Sequence, residues 1–110
     1  MDLSVLIATR NRDESLRRTL ESLARQELDG ASWEVVAVDN GSSDATRSVL
    51  DDFATRLPLR ALFEPAAGKN IALNRAVGAA RGSVLLFTDD DVAPDPRWAA
   101  EMLAATRKRR

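Results

Sequence analysis

Three consecutive carboxylates, Asp89, Asp90 and Asp91, follow directly on the run Val84 to Thr88, which has the apolar look of a buried strand. Charges of one sign this close repel, and a stable fold accommodates them where water or a cation offsets the repulsion. The chain has no cysteine and no histidine, so a metal at this point must be held by oxygen, which favours Mg2+ or Mn2+ over zinc. A solvated acidic turn after a strand is the alternative. Thr9 and Asp39 also stand where apolar stretches end, and three such strand ends can share one site.

The elements that must position these residues are legible from periodicity. Leu3 to Ala8 and Val35 to Val38 are short, branched and apolar, the pattern of strands buried on both faces. Leu16, Leu20, Leu23 and Ala24 fall on one face of a first helix, with Asn11 and Glu14 spaced as a capping box. Val49, Leu50, Phe53, Ala54 and Leu57 stripe a second helix that Pro58 is expected to end. Leu59 to Phe63 reads as a weaker strand, and Leu73, Ala76, Val77 and Ala80 as the stripe of a third helix closed by Gly82. Ser83 to Thr88 is the fourth strand. Asp95 and Pro96 then supply an N-cap and a first-turn proline for a helix facing inward through Trp98, Ala99, Met102 and Leu103.

Four strands alternating with four helices predict an α/β fold, a Rossmann-like open parallel sheet joined by right-handed crossovers. In such sheets ligands bind outside the carboxyl ends of the strands, where the strand order reverses. With an order of 3-2-1-4, Thr9 faces Asp89 to Asp91 across the reversal and Asp39 lies one strand away. A nucleotide spanning that rim could hydrogen-bond Asp39 and Thr9 through its base or ribose and place its phosphates on a metal at the aspartates. Lys69, at the start of the third helix, could neutralise a phosphate oxygen with help from the helix dipole.

Other nucleotide folds fail on the letters. Ala67-Gly68-Lys69-Asn70 resembles the end of a phosphate loop, but Phe63 stands at the first glycine position and Asn70 replaces Ser or Thr. No G-x-G-x-x-G follows the first strand, which removes a dinucleotide-binding dehydrogenase. Thr9-Arg10-Asn11-Arg12 supplies none of the acidic residues that a phosphoacceptor domain needs after its first strand. Composition narrows the field further. At 110 residues, 45% hydrophobic and 30% charged, the chain can support one domain. The net charge is −1, and setting aside the terminal cations Arg107, Lys108, Arg109 and Arg110 leaves a body of −5, which argues against nucleic acid as a partner. No apolar run approaches the roughly 18 residues of a membrane span. With no basic leader before the first strand, a cytoplasmic protein is expected, and the basic tail at 107–110 could give weak contact with an anionic inner membrane face.

The order of these motifs resembles the N-terminal, nucleotide-sugar-binding half of a family 2 glycosyltransferase with the GT-A fold. Ser4 to Arg12 is similar to the family's opening strand and loop, and Val36-Ala37-Val38-Asp39-Asn40-Gly41-Ser42-Ser43-Asp44-Ala45-Thr46 to its second block. Gly68 to Asn74 resembles a third block. The strand entering Asp89-Asp90-Asp91, with Pro94 and Trp98 beyond, resembles the D-x-D metal segment. The resemblance implies that Asp39 recognises the base of a nucleoside diphosphate sugar, most readily a UDP-sugar, and that Thr9 lines the base pocket. It also implies that Asp90 meets the ribose region, and that Asp91, assisted by Asp89, coordinates Mg2+ or Mn2+ on the diphosphate. Ala8 and Arg10 depart from the proline and aromatic residue frequent in the family, and Leu73 from an arginine, which shifts diphosphate neutralisation toward Lys69.

The expected activity is transfer of a sugar to the hydroxyl of a glycan or lipid-linked acceptor in polysaccharide or cell-envelope biosynthesis. Residues 1–106 would form the donor half, with the acceptor half absent and the proton-accepting carboxylate expected beyond Arg110 or supplied with the missing half by a partner chain. A non-catalytic nucleotide-sugar or metal-binding domain, or an inactive truncated remnant, is the competing expectation.

Overall fold

The computed structural model describes residues 1–108. The elements follow one another as β1 (Leu3–Thr9), α1 (Asp13–Ala24), β2 (Trp33–Asp39), α2 (Thr46–Phe53), β3 (Leu59–Phe63), α3 (Lys69–Ala79), β4 (Val84–Phe87) and α4 (Trp98–Lys108). The strands form one parallel sheet in the order β3-β2-β1-β4, the expected Rossmann-like topology. β1 and β2 pair along their whole length, from Leu3 opposite Trp33 to Thr9 opposite Asp39. β4 pairs only with the first half of β1, ending at Phe87 opposite Leu6.

Strand alternation splits the apolar residues between two faces, although the strands read as continuous apolar runs. Leu3, Val5 and Ile7 of β1, with Val35 and Ala37 of β2, meet α1, α2 and α4 through Leu16, Leu20, Leu23, Val49, Leu50, Phe53, Ala99 and Leu103. Leu6, Val36 and Val38 point the other way and are covered by α3 through Ala72 and Ala76. Each fully buried Leu or Phe contributes about 1.5–3 kcal/mol, so the three-helix face supplies most of the apolar stabilisation. Beside α3 the second face is thinly covered, and Phe87 of the edge strand β4 is 54% exposed.

Several local expectations are corrected. Asn11 does not form a capping box: it adopts a left-handed backbone (φ 52°), and its carboxamide oxygen accepts the Ser43 N–H instead. Ala24 is exposed, and the inward position on α1 belongs to Thr19, whose hydroxyl is bonded to the Val92 backbone. Helix α2 ends at Phe53, ahead of Pro58, whose carbonyl accepts the Val35 N–H at the entry to β3. The buried stripe of α3 is Ala72 and Ala76, leaving Leu73 half-buried and Val77 exposed, because two alanines let the helix axis approach the sheet closely. On α4, Ala100 is buried and Met102 is exposed. Asp95 accepts the Arg97 N–H in a turn, so Pro96 lies just before the helix rather than in its first turn. Of the basic tail, Arg107 pairs with Asp2 at 3.0 Å and Lys108 ends α4, while Arg109 and Arg110 lie outside the described residues.

The amino-terminal rim of the sheet is closed by a buried carboxylate that strand pattern alone did not reveal. Glu34 accepts hydrogen bonds from Ser4 Oγ (2.6 Å), the Arg81 N–H (2.7 Å) and both Nε and Nη2 of Arg60 (3.0 and 2.9 Å). Burial pushes its pKa up, but the bonds from Ser4, Arg81 and Arg60 outweigh that and hold the carboxyl below the ordinary value of 4.5. Ser4 Oγ in turn accepts the Gly82 N–H at 2.8 Å. Gly82 is therefore a point of close approach and not a helix-closing residue: a Cβ there would lie 2.5 Å from the backbone of Leu3 and Ser4.

Two outcomes follow from this rim. Glu34→Gln removes the negative charge and turns one of the two acceptor oxygens into a donor facing other donors, and should lower unfolding free energy at pH 7 by about 1–3 kcal/mol. Because the folded-state pKa is depressed, that stabilisation is present above 4.5 and lost as pH falls through the lower folded value. The gap between wild type and Glu34→Gln in urea titrations should therefore close in acid, and a gap of constant size would contradict the ionised role. Gly82→Ala should cost about 1–3 kcal/mol through overpacking against strand backbone that cannot move aside, measurable as a lower denaturant midpoint.

Candidate functional site

The carboxyl ends of the strands meet at a cleft of about 450 Å3, lined by Ala8 and Thr9 at the end of β1, Arg10 and Arg12 just beyond it, Asn40 after β2, Gly68 and Lys69 at the start of α3, and Asp89, Asp90 and Asp91 after β4. Of the residues singled out from sequence, Thr9, Lys69, Asp89, Asp90 and Asp91 share this cavity. Asp39 lies directly beside Thr9 in the β1–β2 register, buried at 4% exposure, and does not line the cavity wall.

The reversal of strand order explains the convergence. Chain leaving β4 donates the Thr88 N–H to the Leu6 carbonyl and then turns across the end of β1, since β1 continues for three residues beyond that pair. Thr19 on α1 fixes the far side of this turn: its hydroxyl donates to the Val92 carbonyl at 2.6 Å and accepts the Val92 N–H at 3.1 Å. Asp90 is thereby nearly buried, while Asp89 and Asp91 remain exposed on either side of it.

The loop after β2 is a scaffold in which most side chains are already engaged. Asp39 Oδ1 accepts the Ser42 N–H at 2.9 Å, closing a turn whose Gly41 takes φ 80°, a conformation that suits glycine. Ser42 Oγ accepts the Asn11 N–H, and Asn11 Oδ1 accepts the Ser43 N–H at 2.7 Å. Asp44 accepts the Thr46 hydroxyl and N–H with one oxygen and the Asp13 N–H with the other. Its pKa is lowered chiefly by the Thr46 hydroxyl, with the backbone N–H groups adding to the effect. The loops after β1 and β2 therefore hold each other in place.

Asn40 performs a second fastening that sequence reasoning missed. Its side-chain N–H group donates to the carbonyls of Glu64 (3.0 Å) and Ala66 (2.8 Å), and its Oδ1 accepts the Gly68 N–H (3.1 Å). One buried carboxamide thus shapes the loop that delivers Gly68, with φ 138°, and Lys69 to the cleft. Nothing in the run Asn40-Gly41-Ser42-Ser43 distinguishes it from any other turn former.

Charge in the cleft is paired across loops. Lys69 Nζ lies 3.1 Å from Asp89 Oδ1. Arg12 reaches both other carboxylates, with Nε 3.8 Å from Asp90 Oδ1 and Nη1 3.6 Å from Asp91 Oδ2. Thr9 Oγ1 is buried at the base of the cleft with no hydrogen-bond partner among the described residues. Leaving such a hydroxyl unpaired costs about 1–3 kcal/mol, a cost that a ligand atom reaching it would relieve.

The donor set suits a hard divalent cation. Every anionic group in the cleft is a carboxylate oxygen, and the chain offers no imidazole or thiolate. Among the described residues no three acidic side chains converge closely enough to hold an ion unaided. Mg2+ and Mn2+ do not require such a cage, since they characteristically bind one or two protein carboxylates and complete their shell with phosphate oxygens and water.

Known proteins share this sequence pattern and this fold. The chain is 41% identical over 105 residues to a validoxylamine A glucosyltransferase of Streptomyces hygroscopicus subsp. limoneus, a match covering 94% of this chain and 23% of that protein. It is 32% identical over 98 residues to the glycosyltransferase AglE of Haloferax volcanii, covering 87% of this chain and 32% of the relative. Among solved structures, Staphylococcus aureus TarS 1-349 in complex with UDP-GlcNAc superposes with a TM-score of 0.87 at 28% identity, covering 98% of this chain and 32% of that one. The mannosyltransferase PcManGT from Pyrobaculum calidifontis, in complex with GDP-Man and Mn2+, superposes with a TM-score of 0.79 at 30% identity, covering 86% and 29%. The chain spans roughly a quarter to a third of the length of these relatives. The open 3-2-1-4 sheet is of the GT-A type. With the family model for glycosyl transferase family 2 matching residues 4–110, the chain belongs to that family.

Proposed function

We propose that this chain forms the donor-binding part of a glycosyltransferase that uses a nucleoside diphosphate sugar, a UDP-sugar in the first instance, and a divalent cation. The observation that carries the reading is the cleft itself, where three loops far apart in sequence bring an unpaired buried hydroxyl, a lysine and three carboxylates together. The UDP-GlcNAc complex of TarS and the GDP-Man and Mn2+ complex of PcManGT support it.

In this reading Asp39 and Thr9 receive the base end of the nucleotide. Asp39 has one oxygen committed to its own turn, so the remaining oxygen is the one to accept from the base. Asp90, nearly buried and held by the Thr19–Val92 contact behind it, faces the ribose. Asp91, assisted by Asp89, would hold Mg2+ or Mn2+. When bound, such an ion neutralises charge that develops on the departing diphosphate. Lys69 stands in the first turn of α3, where the aligned peptide dipoles add to its positive charge, and presents that charge to the diphosphate.

Transfer also requires a carboxylate to take the proton from the acceptor hydroxyl. The carboxylates of this cleft are assigned to donor and metal, so the proton acceptor and the glycan or lipid-linked acceptor site lie with other residues of the enzyme. A cytoplasmic location, where the donor would be drawn from the soluble pool, belongs to the same proposal.

Calorimetry tests the donor site. UDP should bind the 110-residue chain with Mg2+ or Mn2+ present and lose that binding in chelator, and heat unchanged by chelator would reject the metal role. Asp91→Asn should weaken UDP binding in Mn2+ by roughly tenfold, the order of a lost charge-assisted contact, without shifting the thermal midpoint by more than an exposed residue does. Radiolabelled UDP-sugar incubated with this chain alone should give no transfer to simple sugar acceptors; turnover would show that one of the cleft carboxylates serves as the base.

A further inference from the structure

Resting on that reading of the cleft, we propose that Arg12 is a built-in counter-ion that occupies the metal-facing Asp91 and its ribose-facing neighbour Asp90 until a diphosphate arrives, so that cation and nucleotide bind as an interdependent pair. Arg12 is the residue that spans Asp90 and Asp91, at 3.8 and 3.6 Å, while Lys69 takes Asp89. Its position is built by its neighbours. Asn11 turns the chain through a left-handed conformation that Ser42 and Ser43 hold from the adjoining loop, and the Arg12 carbonyl accepts the Leu16 N–H at the start of α1. The backbone that carries the guanidinium is therefore tied on both sides, and the side chain itself remains about half exposed and free to change partners.

The physical consequence is competition. A cation approaching Asp91 meets a guanidinium already there, and the like charges disfavour each other at this range. A diphosphate reverses the balance, because it offers the guanidinium oxygen acceptors of higher charge density, with the fork geometry that arginine matches. Arg12 then moves from carboxylate to phosphate, which would free Asp91 for a metal when phosphate oxygens are at hand to complete its shell. Linkage makes the effect reciprocal: nucleotide raises metal affinity by the factor by which metal raises nucleotide affinity.

Titrations of Mn2+ alone, UDP alone, and each in the presence of the other, followed by calorimetry and by the loss of free Mn2+ signal in electron paramagnetic resonance, test the idea on wild type, Arg12→Gln and Arg12→Lys. Arg12→Gln should bind Mn2+ alone roughly two- to fivefold more tightly than wild type and UDP in saturating Mn2+ more weakly by a similar factor, the range open to exposed ion pairs. Its coupling between the two ligands should shrink accordingly. Arg12→Lys, which keeps the charge and loses the fork, should retain the weak Mn2+ binding of wild type. If UDP with Mn2+ binds and Arg12→Gln leaves Mn2+ affinity and coupling unchanged, the counter-ion role is overturned while the donor site stands. If no variant, wild type included, binds UDP in Mn2+, the reading of the cleft fails and this inference with it.

Discussion

Everything at the cleft depends on the full-length parallel pairing of β1 with β2. Seven residues of each strand are in register, and the last pair is Thr9 with Asp39. Because both strands are central and covered on both faces, their ends are fixed by the whole hydrophobic interior rather than by local loop preferences. The short edge strand β4 adds the third component. By stopping opposite Leu6, three residues before β1 stops, it leaves room for the following turn to cross the rim and set three carboxylates beside the two strand ends. A longer β4 would carry them away from the reversal point, so a deficit in pairing creates the site.

The two rims of the sheet handle charge in opposite ways. At the amino-terminal rim Glu34 is buried and satisfied by Ser4, Arg60 and a backbone N–H, a closed arrangement that contributes to folding. At the carboxyl rim the pairs between Asp89, Asp90 and Asp91 and their basic partners are longer or more exposed, and the Thr9 hydroxyl has no partner among the described residues. Exposed pairs of that kind contribute little to stability and exchange readily. Closed polar contacts at one end and open ones at the other are what a domain needs if it is to stay folded while ligands come and go.

The fold was legible in the sequence because four apolar runs separated by helical patterns leave few arrangements, and the strand ends were legible because apolar runs stop abruptly at Thr9, Asp39 and Asp89. Finer features escaped for separate physical reasons. Alanines surround the α3 stripe at positions 72, 76, 79 and 80, so hydrophobicity hardly varies around the helix and the buried face read one residue away from its true position. Glu34 drew no attention ahead of the Val35 to Val38 run, since its compensation comes from Arg60 and Arg81, distant in sequence. Asn40 and Arg12 carry types common in any loop, and only the loops they reach across to give them meaning. Thr9, Lys69 and Asp89 to Asp91 converge on one cleft as the order of elements led one to expect, while Asp39 lies beside Thr9 behind its wall.

The mutual hydrogen bonding of Asn11 with Ser42 and Ser43, and of Asp44 with Asp13, bears on how specificity could be transplanted among relatives. Segments 9–13 and 39–46 form one cassette in two pieces. A chimera that imports either piece alone severs the cross-strand ties that keep both in shape, whereas exchanging them together carries the intact unit onto a new scaffold.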